Sequence, residues 1–497
     1  MEAPTLSAPV RASLPPEVRA YLASLEAEVA LLTAKLAELE PLVARVAELE
    51  QRRAVAEARA QQHSGNSSRP PSSDPPDAPG RPAARPSGRR RGGQPGHRGH
   101  HREWVPPSDV NVFVEHYPEQ CPGCQAPLPV ALPDTAEPQR QQVWDVPVVV
   151  EPVITEHRYH TVTCPHCQTA VSAPRPADVP SGAFGPQLTA LVGLLHGRYR
   201  LSAREIQALL ADLWRVPLGL GSVPTLYRQV GAALAGPYAE VQAQVQTTPH
   251  AHVDETSWKQ AGQRRWLWVA VGTLSTLFLV TPSRAGHVLA SLLGEAFVGI
   301  VHSDRYKAYL RLPVQQRQLC WAHLKRNLVA YTAWRGAIGD WGADAVALVD
   351  RLFDHWHAFQ AGAMERAGLQ AAMAPVQADF RALLERADDL PGCSAPGLGR
   401  ELLALWPALW TFVTVPGVAP TNNTAEQALR PAVLWRKGCF GADSTSGNEF
   451  VSRSLTVAAT CRQQQRSLFA FLTDAVRAHQ TGQPAPKLFP ASAPAAA

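Results

Sequence analysis

The stretch His250-Ala-His-Val-Asp-Glu-Thr-Ser-Trp258 constrains this chain most, because it joins the polar–apolar alternation of a strand to an acidic pair at its centre. Two strand-like runs follow at once, 265–272 and 276–280, and the short turns between them predict an antiparallel meander. A helical stretch, 287–293, then leads to a fourth strand, 299–304. A crossover through a helix makes that strand parallel to one of the first three. If it lies beside the first, Asp254 and Asp304 become neighbours on the sheet. Two carboxylates brought together in this way repel unless a cation sits between them, which prefigures a divalent-metal site.

A fifth strand running into a basic helix is predicted in Gln318-Leu-Cys-Trp-Ala-His-Leu-Lys-Arg326. From about 327 to 414 the pattern turns helical, with Val346, Val349, Phe353, Trp356 and Phe359 on one apolar face, so this block should pack as its own unit. Thr421-Asn-Asn-Thr-Ala-Glu-Gln-Ala-Leu-Arg430 follows. Thr421 to Thr424 offer N-capping side chains and Glu426 falls in the first turn of the helix, a rigid mount that can face the sheet. Three carboxylates on two strands and a helix can hold two ions of Mg²⁺ or Mn²⁺, which hard oxygen donors favour over zinc. Glu255 competes with Asp254 for this role, since successive strand residues face opposite sides and only one can point at the metals.

The rest of the chain supplies separate modules. Its 497 residues allow roughly two to four domains, and the net charge of +5 says less than where the charges lie. Leu22, Leu25, Val29, Leu32, Leu36, Leu39, Val43 and Val46 alternate spacings of three and four, which reads as a zipper seam or as one amphipathic helix on a core. Pro41 should kink or split it. Eight arginines from Arg69 to Arg102, including Arg89, Arg90 and Arg91, lie in a Pro/Gly/Ser-rich stretch that is either a basic tether for phosphates or a solvated linker. Cys121-Pro-Gly-Cys124 and Cys164-Pro-His-Cys167 present two thiol pairs that would complete a structural Zn²⁺ tetrahedron, with strand-like runs 142–150 and 154–162 between them. Three short helices over 188–234 suit a helix-turn-helix with Arg228 outward, or ordinary packing. Arg430, Arg436 and Lys437 extend the basic character beside Glu426. No apolar run is long enough to span a bilayer and no charged-then-apolar leader opens the chain, so a cytoplasmic protein without membrane contact is expected.

Three antiparallel strands followed by a parallel one, with acids at these places, is the ribonuclease-H-like arrangement. The blocks around Asp254, Asp304 and Glu426 resemble those of the insertion-sequence-66 family of DDE transposases. So do the zipper, Asn66-Ser-Ser-Arg-Pro-Pro-Ser-Ser-Asp74, Gly92-Gly-Gln-Pro-Gly-His97 and the cysteine knuckles. The resemblance implies that Asp254, Asp304 and Glu426 are the catalytic metal ligands, and it selects Asp254 over Glu255. Cys320 and His323 match a Cys-x-x-His signature found between the second Asp and the Glu in many such enzymes, a candidate auxiliary pair. The implied partners are DNA, as transposon ends and target, a homodimer or higher oligomer, and accessory proteins of the same element. The implied setting is bacterial, at the nucleoid when DNA is bound.

The expected architecture is therefore multidomain α+β. It comprises a coiled coil (1–60), a disordered linker (61–105), a zinc-binding module (106–175) and a helix-turn-helix-like region (176–245). A ribonuclease-H-like catalytic domain in two parts (246–326 and 416–450) follows, split by a helical insertion (327–415), and a C-terminal helical region (451–497) ends the chain. The expected activity is Mg²⁺-dependent cleavage and joining of element ends; a catalytically inactive DNA-binding descendant is the alternative.

Overall fold

The computed structural model describes residues 8–60, 104–128, 140–144, 146, 150–180 and 182–489. In chain order the elements are α1 (Ala8–Ala12), α2 (Pro16–Ala60), β1 (Thr161–Thr163), β2 (Ala170–Ser172), α3 (Pro186–Gly197), α4 (Ala203–Trp214), α5 (Ser222–Ala233) and α6 (Ala235–Gln246). The sheet region holds β3 (His250–Gln260), β4 (Gln263–Val271), β5 (Thr276–Thr281), α7 (Val288–Leu293), β6 (Ile300–Ser303) and β7 (Arg317–Leu319). The remaining helices are α8 (Trp321–Val329), α9 (Ala337–Gln360), α10 (Arg366–Glu385), α11 (Ala395–Ala404), α12 (Trp406–Thr414), α13 (Asn423–Cys439), α14 (Thr445–Gln463) and α15 (Leu468–Gln480). The chain divides into two compact units, one drawn from 80–173 and 203–222, the other from 1–79, 174–202 and 223–497.

In the larger unit five strands form one sheet in the order β5-β4-β3-β6-β7. β3, β4 and β5 are antiparallel, whereas β6 is parallel to both β3 and β7. The β3–β4 turn consists of Ala261 and Gly262, both at positive φ (47° and 76°), as a two-residue turn that matches strand twist requires. The parallel pairing runs to His252↔His302, two residues before Asp254 and Asp304 on their respective chains.

The open edge of β5 is closed by a helix. The backbone N–H groups of Thr276, Phe278 and Val280 donate to the hydroxyls of Thr460, Thr456 and Ser452 on α14, at 3.2, 2.9 and 3.2 Å. Four helical residues rise about 6 Å and two strand residues about 6.8 Å, so hydroxyls four apart meet alternate strand amides. An edge that could recruit another strand is thereby satisfied.

Two apolar clusters fill this unit. One lies between the sheet and α5, α6, α7, α13, α14 and α15. The other joins Leu319 and Trp321 to α9, α10, α11 and α12, so the block after β7 has its own core, as its periodicity predicts. Helix α6 was not expected from the sequence.

Helix α2 runs through Pro41 without a break, contrary to the expected split. Proline removes only the one hydrogen bond to Ala37, whose carbonyl is solvated on an exposed helix. Its apolar seam is bare: Val29, Leu32, Leu36, Leu39, Val43 and Val46 are all more than half exposed. The Arg-rich stretch, including Arg89, Arg90 and Arg91, lies outside the described residues.

In the smaller unit β1 and β2 pair as a short antiparallel hairpin. The expected strand over 154–162 forms only at its end, because Val153 and Ile154 find no packing surface and remain 95% and 87% exposed. Of the expected strand over 142–150, residues 145 and 147–149 lie outside the described residues, and 142–144, 146 and 150 are not strand. The Val150 amide donates to the Leu213 carbonyl at 3.0 Å, which ties this segment to α4. Helices α3, α4 and α5 fall where the helix-turn-helix pattern places them, but α4 belongs to the smaller unit and α5 to the larger. No helix among the described residues is long and apolar enough to cross a membrane.

Candidate active site

Strand parity separates the acidic pair. Ala251, Val253 and Glu255 are buried on one face of β3, while His250, His252, Asp254 and Thr256 share the other. On its face Glu255 is fully engaged: Tyr309 donates its hydroxyl to it at 2.6 Å and Arg284 pairs with it at 2.7 Å. Arg284 also lies 3.7 Å over the Tyr306 ring. Glu255 therefore clamps the segment 304–309 that carries Asp304. Asp304 itself accepts the Tyr306 amide at 2.8 Å, a local turn that fixes its carboxylate at the end of β6.

Helix α13 lies across the Asp254 face. Ala425, Ala428 and Ala432 are buried there, and such small side chains let the helix backbone approach the strands. It is anchored to β3 at two points. At its start, the buried Asn422 donates its side-chain amide to the Val253 carbonyl at 2.8 Å, and its Oδ1 meets His252 Nδ1 at 3.1 Å. At its end, Arg436 donates to Thr256 Oγ1 at 3.0 Å and to the Ser257 carbonyl. Asp254 on the strand and Glu426 on the helix both lie between these anchors. Asn422 occupies the N-cap position but makes no side-chain cap, which corrects the expected role: its amide ties helix to sheet instead.

The Cys-x-x-His pair takes part in the same arrangement. The buried Cys320 sulfur accepts the Asn422 amide N–H at 3.1 Å, while the Cys320 amide donates to the Ser303 carbonyl at 2.9 Å. One residue thus links β6, the start of α8 and the start of α13. His323 Nε2 lies 3.3 Å from Glu426 Oε1, and Arg326, one turn on, pairs with the same oxygen at 3.1 Å. Neither Asn422 nor Arg326 was singled out in the sequence, although the first sits in the Thr-Asn-Asn run and the second lies at helical spacing from His323.

Electrostatics mark Asp254 as the strained member. Burial pushes its carboxyl well above the usual range, and the negative charges of Glu255, Asp304 and Glu426 push the same way. Burial disfavours charge on the imidazoles beside it, holding His252 down at about 4 and His302 well below its ordinary range. His302 is completely buried and stacks on His252 at 3.9 Å, with the backbone of Ala419 and Thr421 as the polar groups nearest its ring nitrogens. Among the described residues no three His, Cys, Asp or Glu side chains converge closely enough to hold a metal ion. The two aspartates lie near enough for their charges to interact, while Glu426 is turned to Arg326 and His323.

Residues 181–449 match the sequence family described as Transposase IS66 family. The chain belongs to the IS66 transposase family. The matched span begins just before α3 and includes β3, β6, the whole helical block and α13. Residues 13–103, which cover α2 and the Arg-rich stretch, match a family of unknown function, DUF6444. An uncharacterized protein of Sinorhizobium fredii, y4hP, is similar to this chain at 27% identity over 370 residues, 66% of this chain and 65% of that protein. The chain thus spans just under two thirds of that relative.

The two cysteine knuckles of this family member have one backbone design. In each, the first cysteine amide donates to the carbonyl five residues on (Ala126 at 3.0 Å, Thr169 at 2.8 Å), and its own carbonyl accepts from Gln125 or Gln168. Both glutamines take positive φ, 58° and 59°. Backbone N–H groups of Cys124 and Gly123 lower the Cys121 thiol, and the Thr169 hydroxyl and amide lower that of Cys167. Each knuckle gathers its own pair, and the four thiols are not drawn together. Of the cationic candidates, Arg228, Arg430 and Lys437 are exposed, whereas Arg436 is partly used to anchor α13.

Proposed function

We propose that this protein is a DDE transposase in which Asp254, Asp304 and Glu426 serve phosphodiester cleavage and strand transfer at the ends of its mobile element. The observation that carries this reading is the half-buried Asp254, raised by burial and by the charges of the carboxylates around it, Asp304 among them, on a sheet whose strand order is that of a ribonuclease-H-like core. Hard oxygen donors with uncompensated negative charge fit Mg²⁺ or Mn²⁺. When bound, two such ions would supply a polarised nucleophile and stabilise the leaving oxygen.

The chain's own residues do the positioning. Asp254 and Asp304 each spend one carboxylate oxygen on a local amide, from Glu255 and Tyr306, which leaves the other free to serve as a ligand. Glu426 joins them only by leaving Arg326 and His323, so these two hold it in a waiting position and Arg326 becomes free to meet a phosphate. Structural zinc on Cys121, Cys124, Cys164 and Cys167 would order the smaller unit, and the lowered thiols of Cys121 and Cys167 suit it. The bare seam of α2 serves self-association, which holds two element ends together.

Purified protein with Mg²⁺ should nick a duplex that carries the element end. Asp254→Ala should keep its affinity for that duplex and lose at least about 10³-fold in nicking rate. Normal nicking by this variant would refute the assignment. Should the duplex be bound but never cut under Mg²⁺ or Mn²⁺, the chain is a DNA-binding descendant of a transposase.

A further inference from the structure

Past Asp254, β3 and the end of α13 enclose an open groove of about 580 Å³, lined by Ser257, Trp258, Lys259, Arg264, Arg436, Lys437 and Phe440. Four of these side chains are cationic and none is acidic. Lys259, Arg264 and Lys437 are exposed and have no carboxylate partner among the described residues. Arg436 joins the groove to the active-site face: it donates to Thr256, two residues and about 7 Å along the strand from Asp254, and also to Ser257, which by strand alternation shares the opposite face with Lys259 and its cross-strand neighbour Arg264.

Phe440 is the unusual member. It is 73% exposed and sits at φ 62°, a left-handed conformation that glycine or asparagine adopts at far lower cost at a helix end. The surrounding backbone enforces it. The Ala442 amide donates to the Lys259 carbonyl at 3.0 Å, the Ala261 amide donates to the Ala442 carbonyl at 2.9 Å, and Gly441 leaves no room for a Cβ against Lys259. A strained residue held this firmly, with its phenyl ring in solvent, points to a use for the ring.

We propose that this groove binds a single-stranded stretch of DNA next to the scissile phosphate, with one base stacked on Phe440 and its phosphates against Lys259, Arg264 and Lys437. This rests on the reading of the adjacent carboxylates as a DNA-processing site. A phenyl face among cations matches the way sequence-tolerant single-strand sites work, and a base within a closed duplex cannot offer its face to such a ring.

The test uses full-length protein and two labelled probes, a 20-nucleotide oligo-dT and a 20-base-pair duplex, followed by fluorescence anisotropy. Phe440→Gly should weaken oligo-dT binding about 10-fold, leave duplex binding unchanged, and melt no lower than the parent, since glycine suits that backbone. Phe440→Tyr should retain binding. Lys259→Gln with Lys437→Gln should lower the logarithmic salt slope by about 0.7 per cation removed. Unchanged oligo-dT affinity in Phe440→Gly, or an equal loss with the duplex, overturns the proposal. Asp254→Ala should bind oligo-dT like the parent, so a failure of the carboxylate assignment, read as nicking, is seen separately from a failure of the groove.

Discussion

Helix α2 and strand β3 carry equally regular patterns and meet opposite fates. In β3 the alternation is used on both faces, by the apolar core under Val253 and by α13 over Asp254. In α2 a seam just as regular is covered by nothing among the described residues. Periodicity announces that a face exists; what covers it depends on contacts that local spacing does not encode. The contrast also predicts where stability resides: in the stitched sheet for one unit, and in another copy for the helix.

That difference can be broken most forcefully at α2. Leu32→Asp with Leu36→Asp should weaken self-association on the order of 10⁴-fold, because each pair of buried leucines lost across a dimer removes roughly 3 kcal/mol or more. Light scattering should report a smaller mass, and the melting transition of the sheet should stay in place. A mass that does not change would mean the seam serves something other than a second copy.

A smaller but sharper effect is expected at the anchor of α13. Asn422→Ala leaves the Val253 carbonyl and His252 without their partner in a buried place, at about 1–3 kcal/mol for each unsatisfied group. Urea unfolding should show a loss of about 3 kcal/mol. A loss of under about 1 kcal/mol would show that the alanine face of α13 alone seats the helix, with Asn422 incidental.

These residues also show what the sequence made legible. The strands, the helical block and the elements that carry Asp254, Asp304 and Glu426 follow from alternation, length and turn chemistry, all local properties; which strand β6 lies beside does not, because that is a long-range pairing. Parity left Asp254 and Glu255 undecided, because each neighbours a plausible face; the family resemblance chose Asp254, and Tyr309 and Arg284 close on Glu255 on the other face. Asn422 reads locally as a helix cap, and its true partners lie 169 and 170 residues away. Pro41 reads as a breaker, yet one missing hydrogen bond on a solvated helix does not end it. The basic residues were legible as charge alone: Arg436 turned out to be an anchor and Arg326 a partner of Glu426.

The gentlest expected effect concerns the charge that β3 buries and α2 does not. The folded protein raises the Asp254 carboxyl above its unfolded value, chiefly by burial, so the ionised group opposes folding wherever the pH exceeds the folded-state value. The opposition is present above the folded-state value and fades as pH falls toward the ordinary carboxylate range, where both states are protonated. Asp254→Asn keeps the shape and removes the charge. In EDTA at pH 7.5 it should therefore melt about 2 °C or more above the parent, with the difference vanishing near pH 4. Millimolar Mg²⁺ should narrow the gap by stabilising the parent alone, as any ligand of the native state does. A variant that melts lower than its parent in EDTA would mean that Asp254 is satisfied by the fold itself, and the case for a cation beside it would lose its electrostatic ground.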